Sequence, residues 1–308
     1  MAADPTPPGP APSGAVGPDA AGEAGWAPLR AVIERFGLRA DKRLGQHFLL
    51  DSNLLRRIVT AAGDLCGRTV LEIGPGPGGL TRALLASPAE RIVAIERDSR
   101  CLLALQELAA AADGRLQLIE ADALAIDIAD LTAGRLSVVA NLPYNIGTPL
   151  LLGWLDRLDR VERMTLMFQR EVAARIVAPP GNRVYGRLSV LVQWLCEARN
   201  LMHLPARAFV PPPKVASSLI QLTPRPQPLA PADKRCLERV LAAAFQQRRK
   251  MLRVSLRSLG ERPDALLEAA DVPATARAEE IDVAGFCRLA RCYQASAGRI
   301  SPAASGTG

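Results

Sequence analysis

The string Asn141-Leu142-Pro143-Tyr144-Asn145 follows Ser137-Val138-Val139-Ala140, an apolar run that reads as a buried strand. The Asn141 side-chain oxygen and a backbone carbonyl presented by the Leu142-Pro143 turn can together accept from both N–H groups of an aromatic amine such as the N6 amine of adenine. That nitrogen is a poor nucleophile because its lone pair is delocalised into the ring. Two acceptors draw it toward a tetrahedral geometry, and the same dipoles stabilise the positive charge that grows as an electrophile is attacked. No strong general base is needed. Tyr144 can stack on a base that has left its helical stack. Phe209 opens the run Phe209-Val210-Pro211-Pro212-Pro213-Lys214-Val215-Ala216-Ser217. Its prolines should hold the loop stiffly and present Phe209 opposite Tyr144, so that the base is sandwiched.

A strand-ending turn can look the same without any chemistry, so the weight falls on what precedes it. Val70-Leu71-Glu72-Ile73-Gly74-Pro75-Gly76-Pro77-Gly78-Gly79 reads as a strand entering a glycine turn and then a helix. Such a turn brings backbone amides close to a ligand, and Gly74, Gly76 and Gly79 also satisfy the dinucleotide spacing. Glu96 stands 22 residues past Gly74 at the end of the next strand, where a carboxylate can accept from both ribose hydroxyls. These features fit a nicotinamide enzyme or a methyltransferase equally. Asp122, just past the third strand, can accept from an adenine amino group and its charge favours a nearby sulfonium, which shifts the balance toward S-adenosylmethionine.

Other chemistries find little support. The chain has two histidines, His47 and His203, and six cysteines without C-x-x-C spacing, so neither a metal centre nor a Ser-His-Asp hydrolase is expected. No segment approaches the roughly 18 uninterrupted apolar residues of a membrane span, and the N-terminus lacks signal-peptide order, which reads as cytoplasmic. The net charge of +7 is concentrated: residues 200–260 carry eleven Lys or Arg against Asp233 and Glu238. Clustering of this size points to a polyanion, with nucleic acid favoured. Arg248, Arg249 and Lys250, at an expected helix start, together with Lys214, are the candidate RNA contacts.

Residues 1–28 are rich in Ala, Pro and Gly and read as a flexible tail, as do residues 299–308. Residues 29–224 alternate short apolar runs with helical periods, the pattern of a wound α/β sheet. Strands are expected at 68–73, 91–96, 116–120, 137–141 and 163–168, with a closing pair at 197–204 and 217–222. Capped helices are expected at 54–62, behind Asp51 or Ser52, and at 99–111, behind Asp98. Prolines 224, 226, 228 and 231 place a linker at 225–231. Beyond it, residues 232–298 read as a small helical domain, with helices at 232–247, 248–259, 265–270 and 282–296.

In this order, Leu44-Gly45-Gln46-His47-Phe48-Leu49, Glu72-Ile73-Gly74-Pro75-Gly76, Glu96-Arg97-Asp98, Asn141-Leu142-Pro143-Tyr144-Asn145, Phe209-Val210-Pro211-Pro212-Pro213-Lys214-Val215 and Phe245-Gln246-Gln247-Arg248-Arg249-Lys250 closely resemble the small-subunit (16S) ribosomal RNA adenine N6 dimethyltransferases. The resemblance runs from about residue 42 to about 295. It implies a Rossmann-like S-adenosylmethionine methyltransferase domain, with a mostly parallel seven-stranded sheet and a closing antiparallel strand, followed by a small all-helical domain. It also implies that His47, Leu49, Gly74, Gly76, Glu96, Asp122 and Asn141 hold the cofactor. The substrate would be a pair of adjacent adenosines near the 3′ end of 16S rRNA, each dimethylated by a monomeric enzyme with a part in late subunit maturation. Two other readings are a 23S rRNA adenine methyltransferase of the macrolide-resistance type, and an assembly factor acting mainly by binding immature small subunits.

Overall fold

The structure is a computed structural model and describes residues 26–260 and 262–297; apart from 26–28, both expected tails lie outside these. Among the described residues nine strands form: β1 (Phe48–Leu49), β2 (Thr69–Ile73), β3 (Arg91–Glu96), β4 (Leu116–Glu120), β5 (Leu136–Asn141), β6 (Val161–Gln169), β7 (Cys196–Leu204), β8 (Phe209–Val210) and β9 (Ser217–Pro224). Seven of them make one sheet in the order β4-β3-β2-β5-β6-β9-β7. Strands β4, β3, β2, β5 and β6 run parallel, and β9 is antiparallel to both β6 and β7. This is the α/β architecture that the sequence implies.

The central parallel strands β2, β3 and β5 are buried on both faces, which is why each is almost wholly apolar, whereas the edge strand β4 is only partly buried. Alternation along each strand sorts the side chains: Leu71, Ile73, Val93, Ile95, Val138 and Ala140 enter one core, while Val70, Ile92, Ala94 and Val139 enter another. By the same alternation Glu72, Glu96 and Asn141 project on the second face, at the C-terminal ends of their strands. The chain winds outward from β2 to β4 and then returns to β5, so β2 and β5 flank the switch point where such sheets open a crevice.

Two helices form on the second face behind carboxylate caps: Ser52–Ala61, where Asp51 accepts from the Leu54 amide, and Ser99–Ala110, where Asp98 accepts from the Arg100 amide. Caps of this kind each contribute about 0.5–2 kcal/mol.

Strand β9 ends at Pro224 and the next helix, Lys234–Gln246, starts behind Asp233, so the prolines separate sheet from helices along the chain. The core is not divided there. Leu237, Val240 and Phe286 share one cluster with Val190, Trp194 and Leu71, which joins the helical part to the first face of the sheet.

The expected 248–259 helix is a correction. The chain turns through 247–250, pairs Met251 with Arg277 as an isolated bridge, and only then forms the short helix Leu252–Ser255 and a 3-10 turn at Leu256–Leu259. No helix among the described residues is long and apolar enough to cross a membrane.

Candidate active site

Above the β2/β5 switch point lies a cleft open to solvent, with about 1050 Å³ of empty space when the solvent at its mouth is included. It gathers His47, Leu49, Gly74, Gly76, Glu96, Asp122, Asn141, Leu142, Pro143 and Tyr144. Gly74 has φ +64°, and a Cβ there would lie 3.2 Å from Pro143 Cγ, so glycine is what lets the first turn meet the Asn141 loop.

Glu96 is 6% exposed, and its carboxylate is fixed by backbone amides: Oε2 accepts from Gly76 (2.9 Å), and Oε1 from Arg97 and Asp98 (both 2.8 Å). Burial pushes its carboxyl up and those amides pull it part of the way back. Asp122 Oδ1 caps the Leu124 amide at 3.0 Å, and Oδ2 pairs with Arg97 Nη1 at 3.0 Å. The charge expected to favour a sulfonium is therefore already matched by Arg97. Both side chains are well exposed, so the pair itself contributes little to stability.

The Asn141 amide has a determined orientation. Nδ2 donates to the His47 carbonyl at 3.1 Å, which leaves Oδ1 as the free acceptor. The Pro143 carbonyl already accepts from Ile146 and Gly147, both at 3.1 Å. Of the two carbonyls flanking the proline, that of Leu142 is the one left to present, while its side chain is buried.

His47 is held by Nδ1, which donates to the Pro211 carbonyl at 2.8 Å, and its ring lies 5.3 Å from that of Tyr144. The Tyr144 hydroxyl hydrogen-bonds Ser217 Oγ at 2.6 Å. Gln46 ties the same N-terminal segment down by donating to Asp98 Oδ2 at 3.0 Å, and Arg100 and Gln46 together hold the Asp98 carboxyl down at about 2.

The Phe209 expectation is overturned. Phe209 is 1% exposed, because the β1–β8 pairing sets it opposite Leu49 and turns it into the second core, away from the cleft. A ring sandwich with Tyr144 is not built. The proline loop instead reaches the site through the Pro211 carbonyl and the Ser217 hydroxyl.

The basic residues separate as well. Lys214, Arg249 and Lys250 are exposed. Arg248 is half-buried, with Nε 3.5 Å from Glu279 Oε2 and Nη2 donating to the Asn182 carbonyl at 3.5 Å. It clamps the 247–250 turn to two other loops.

Sequence reasoning assigns no role to Gln46, Glu72 and Arg97, which line the cleft, or to Ser217, which holds the Tyr144 hydroxyl. Glu72 had a signal: a charge inside an apolar strand. It is 1% exposed, and burial pushes its carboxyl up to about 8, with Glu96 adding to the rise and Thr81 opposing it. A carboxyl that binds its proton more tightly folded than unfolded stabilises the fold fully below its unfolded value of 4.5 and loses that contribution as pH rises toward 8. Glu72→Gln cannot ionise. It is expected to match the parent near pH 4.5 and exceed it at pH 8 by about 1–4 kcal/mol in urea unfolding. Equal pH dependence in the two proteins would count against a proton held at Glu72.

A wound sheet with a buried, amide-fixed carboxylate after the second parallel strand and an amide-proline-aromatic loop after the fourth defines a Rossmann-like methyltransferase that uses S-adenosylmethionine. The family model for ribosomal RNA adenine dimethylase matches residues 37–295, and the chain belongs to that family. It is 57% identical over 272 residues to ribosomal RNA small subunit methyltransferase A of Rhodospirillum rubrum, covering 88% of this chain and 94% of that one. Its identity to the protein of the same name from Paramagnetospirillum magneticum is 58% over 268 residues, covering 87% and 95%. Among solved structures it resembles a dimethyladenosine transferase from Plasmodium falciparum (TM-score 0.70, 26% identity, 79% and 96% covered). It also resembles the 23S rRNA methyltransferase ErmE (TM-score 0.62, 26% identity, 80% and 99% covered).

The residues present fit the cofactor. Backbone amides take both lone pairs of Glu96 Oε1 and one of Oε2, so Oε2 keeps acceptor capacity for a ribose hydroxyl, at the rim of a glycine turn that leaves room for a nucleoside.

Proposed function

We propose that this protein dimethylates N6 of two adjacent adenosines near the 3′ end of 16S rRNA, in the small ribosomal subunit or its precursor, and that it acts in the cytoplasm as a monomer late in subunit maturation. The observation that carries the chemistry is the Asn141 amide, oriented by the His47 carbonyl so that its oxygen can accept from the adenine amine. The Leu142 carbonyl takes the second N–H, and Tyr144 takes the base face. Glu96 holds the ribose hydroxyls of the cofactor and Asp122 its adenine amine, with His47, Leu49, Gly74 and Gly76 forming the rest of the cradle. S-adenosylmethionine, when bound, supplies a methyl carbon that leaves sulfur for the nitrogen, a thioether remaining and one N6 proton passing to water.

The small-subunit target is supported by identities of 57–58% to relatives named for that subunit, against 26% to the 23S enzyme. The test is mass spectrometry of RNase-digested small-subunit RNA after incubation with protein and labelled cofactor. Dimethyladenosine in a single 3′-terminal fragment is expected, and label confined to 23S RNA would overturn the reading.

Arg249, Lys250 and Lys214 contact RNA phosphates in this reading, which their exposure and their absence from the cofactor cleft support. Neutralising Arg249 and Lys250 together is expected to weaken RNA binding and reduce its log–log salt slope by about 2, or about 1 per phosphate contact. Arg248→Ala, which breaks a clamp, should lower the melting temperature and move the slope less. A slope unchanged by the double variant would take the turn out of the RNA surface.

A further inference from the structure

The Tyr144 ring lines the cleft, and its hydroxyl meets a partner that cannot move. Ser217 is 0% exposed and sits between two strands, opposite Gln169 of β6 on one side and Leu204 of β7 on the other. A hydroxyl on a strand laddered on both sides has its position set by the sheet, not by the loop. The 2.6 Å bond therefore references the Tyr144 ring to the rigid sheet, while the His47 ring flanks it at 5.3 Å. Phe209 is buried outside the cleft; of the aromatic side chains that line it, His47, Phe48 and Tyr144, only Tyr144 belongs to the loop that carries Asn141 and Leu142, and Ser217 decides how firmly that ring is held.

We infer that Ser217 is a positioning residue that sets the extent of methylation, by fixing Tyr144 for the second methyl transfer more than for the first. This rests on the proposed roles of Asn141, Leu142 and Tyr144. An unmodified amine offers two N–H groups, one to Asn141 Oδ1 and one to the Leu142 carbonyl. After one transfer the amine offers one, because an N–H has been replaced by N–CH3. The base has then lost half of the hydrogen bonding that orients its amine, whereas its ring face is unchanged. Stacking on Tyr144 thus carries a larger share of the alignment in the second step, and a loosened ring penalises that step selectively.

The experiment follows N6-methyl- and N6,N6-dimethyladenosine by nucleoside mass spectrometry during incubation of the full chain with S-adenosylmethionine and small subunits carrying unmethylated 16S RNA. Ser217→Ala is expected to slow the second transfer about tenfold and the first by less than about threefold, so that monomethyladenosine accumulates. Tyr144→Phe keeps the ring and removes the hydroxyl, and should reproduce that ratio. The double variant should be no worse than either single one, since both delete the same bond. Tyr144→Phe leaves the sheet interior intact, so it carries the test alone if Ser217→Ala does not fold. A wild-type ratio in Tyr144→Phe, or additive losses in the double variant, would overturn the inference. Absence of any methylated adenosine with the wild-type protein would instead bring down the proposed function itself, which keeps the two failures apart.

Discussion

Replacing Asn141 with alanine is expected to slow methyl transfer by about 10²–10³-fold, the loss seen when one preorganised dipole is removed from a site of developing charge. The Asn141 side chain performs two tasks through two atoms. Nδ2 holds the His47 carbonyl and with it the N-terminal segment that walls the pocket, which leaves Oδ1 of this cleft-lining residue as an acceptor. Alanine removes both, so cofactor affinity should fall as well, by about tenfold for one lost hydrogen bond and a looser wall. Asn141→Asp separates the tasks. It keeps an acceptor toward the amine but sets a second oxygen against the His47 carbonyl, where no hydrogen bond can form. Rate under saturating cofactor, cofactor affinity by calorimetry and RNA binding by gel shift distinguish these effects. A rate within threefold of the parent would mean that the amide is not at the reacting nitrogen.

Most strands of the sheet were legible because buried parallel strands are written as nearly apolar runs, and because the functional carboxylates and amide interrupt those runs at their ends; the order in which they pair was not. Glu96, Asp122 and Asn141 each stand out as a polar residue where an apolar strand stops. Long-range pairings of short segments were not legible. Strands β1 and β8 are two residues each and meet across about half of the chain, yet their register decides that Phe209 is core and that Pro211 touches His47. The spacing of Leu252, Leu256 and Leu259 suggests one helix, but the Met251–Arg277 bridge and the Leu252 amide bonded to the Ala276 carbonyl interrupt it from outside the window that periodicity can read. Arg248 looked like its neighbours in sequence and differs only through Glu279 and Asn182. Local patterning fixes which residues a strand end can offer, and contacts between distant segments fix which of them face the cleft.

Glu96→Ala should raise the dissociation constant for S-adenosylmethionine by about 10–100-fold, since the hydrogen bond that the free Oε2 lone pair offers a ribose hydroxyl is lost at about 1.5–3 kcal/mol. The structure adds a cost that the sequence did not show. The carboxylate is also the acceptor for the Gly76, Arg97 and Asp98 amides, of which the first and last belong to buried residues. Unpaired buried amides cost about 1–3 kcal/mol each unless water replaces the lost partner, so the variant is expected to melt earlier as well. Glu96→Gln tests the charge with less disruption. Its amide oxygen can still accept from Arg97 and Asp98, while its NH2 faces the Gly76 N–H, donor against donor. In the parent, burial raises the Glu96 carboxyl above its usual range, so cofactor affinity should decline as pH falls toward that raised value and the carboxylate gains a proton. In Glu96→Gln this acid-side decline should be absent and affinity should be low throughout. RNA affinity is expected to stay near that of the parent in both variants, because Lys214, Arg249 and Lys250 are exposed and none of them lines the cofactor cleft. Calorimetry across the acid range reads this outcome directly: parental cofactor affinity in Glu96→Ala would show that the ribose is held elsewhere, leaving Glu96 as a fastener of the glycine turn alone.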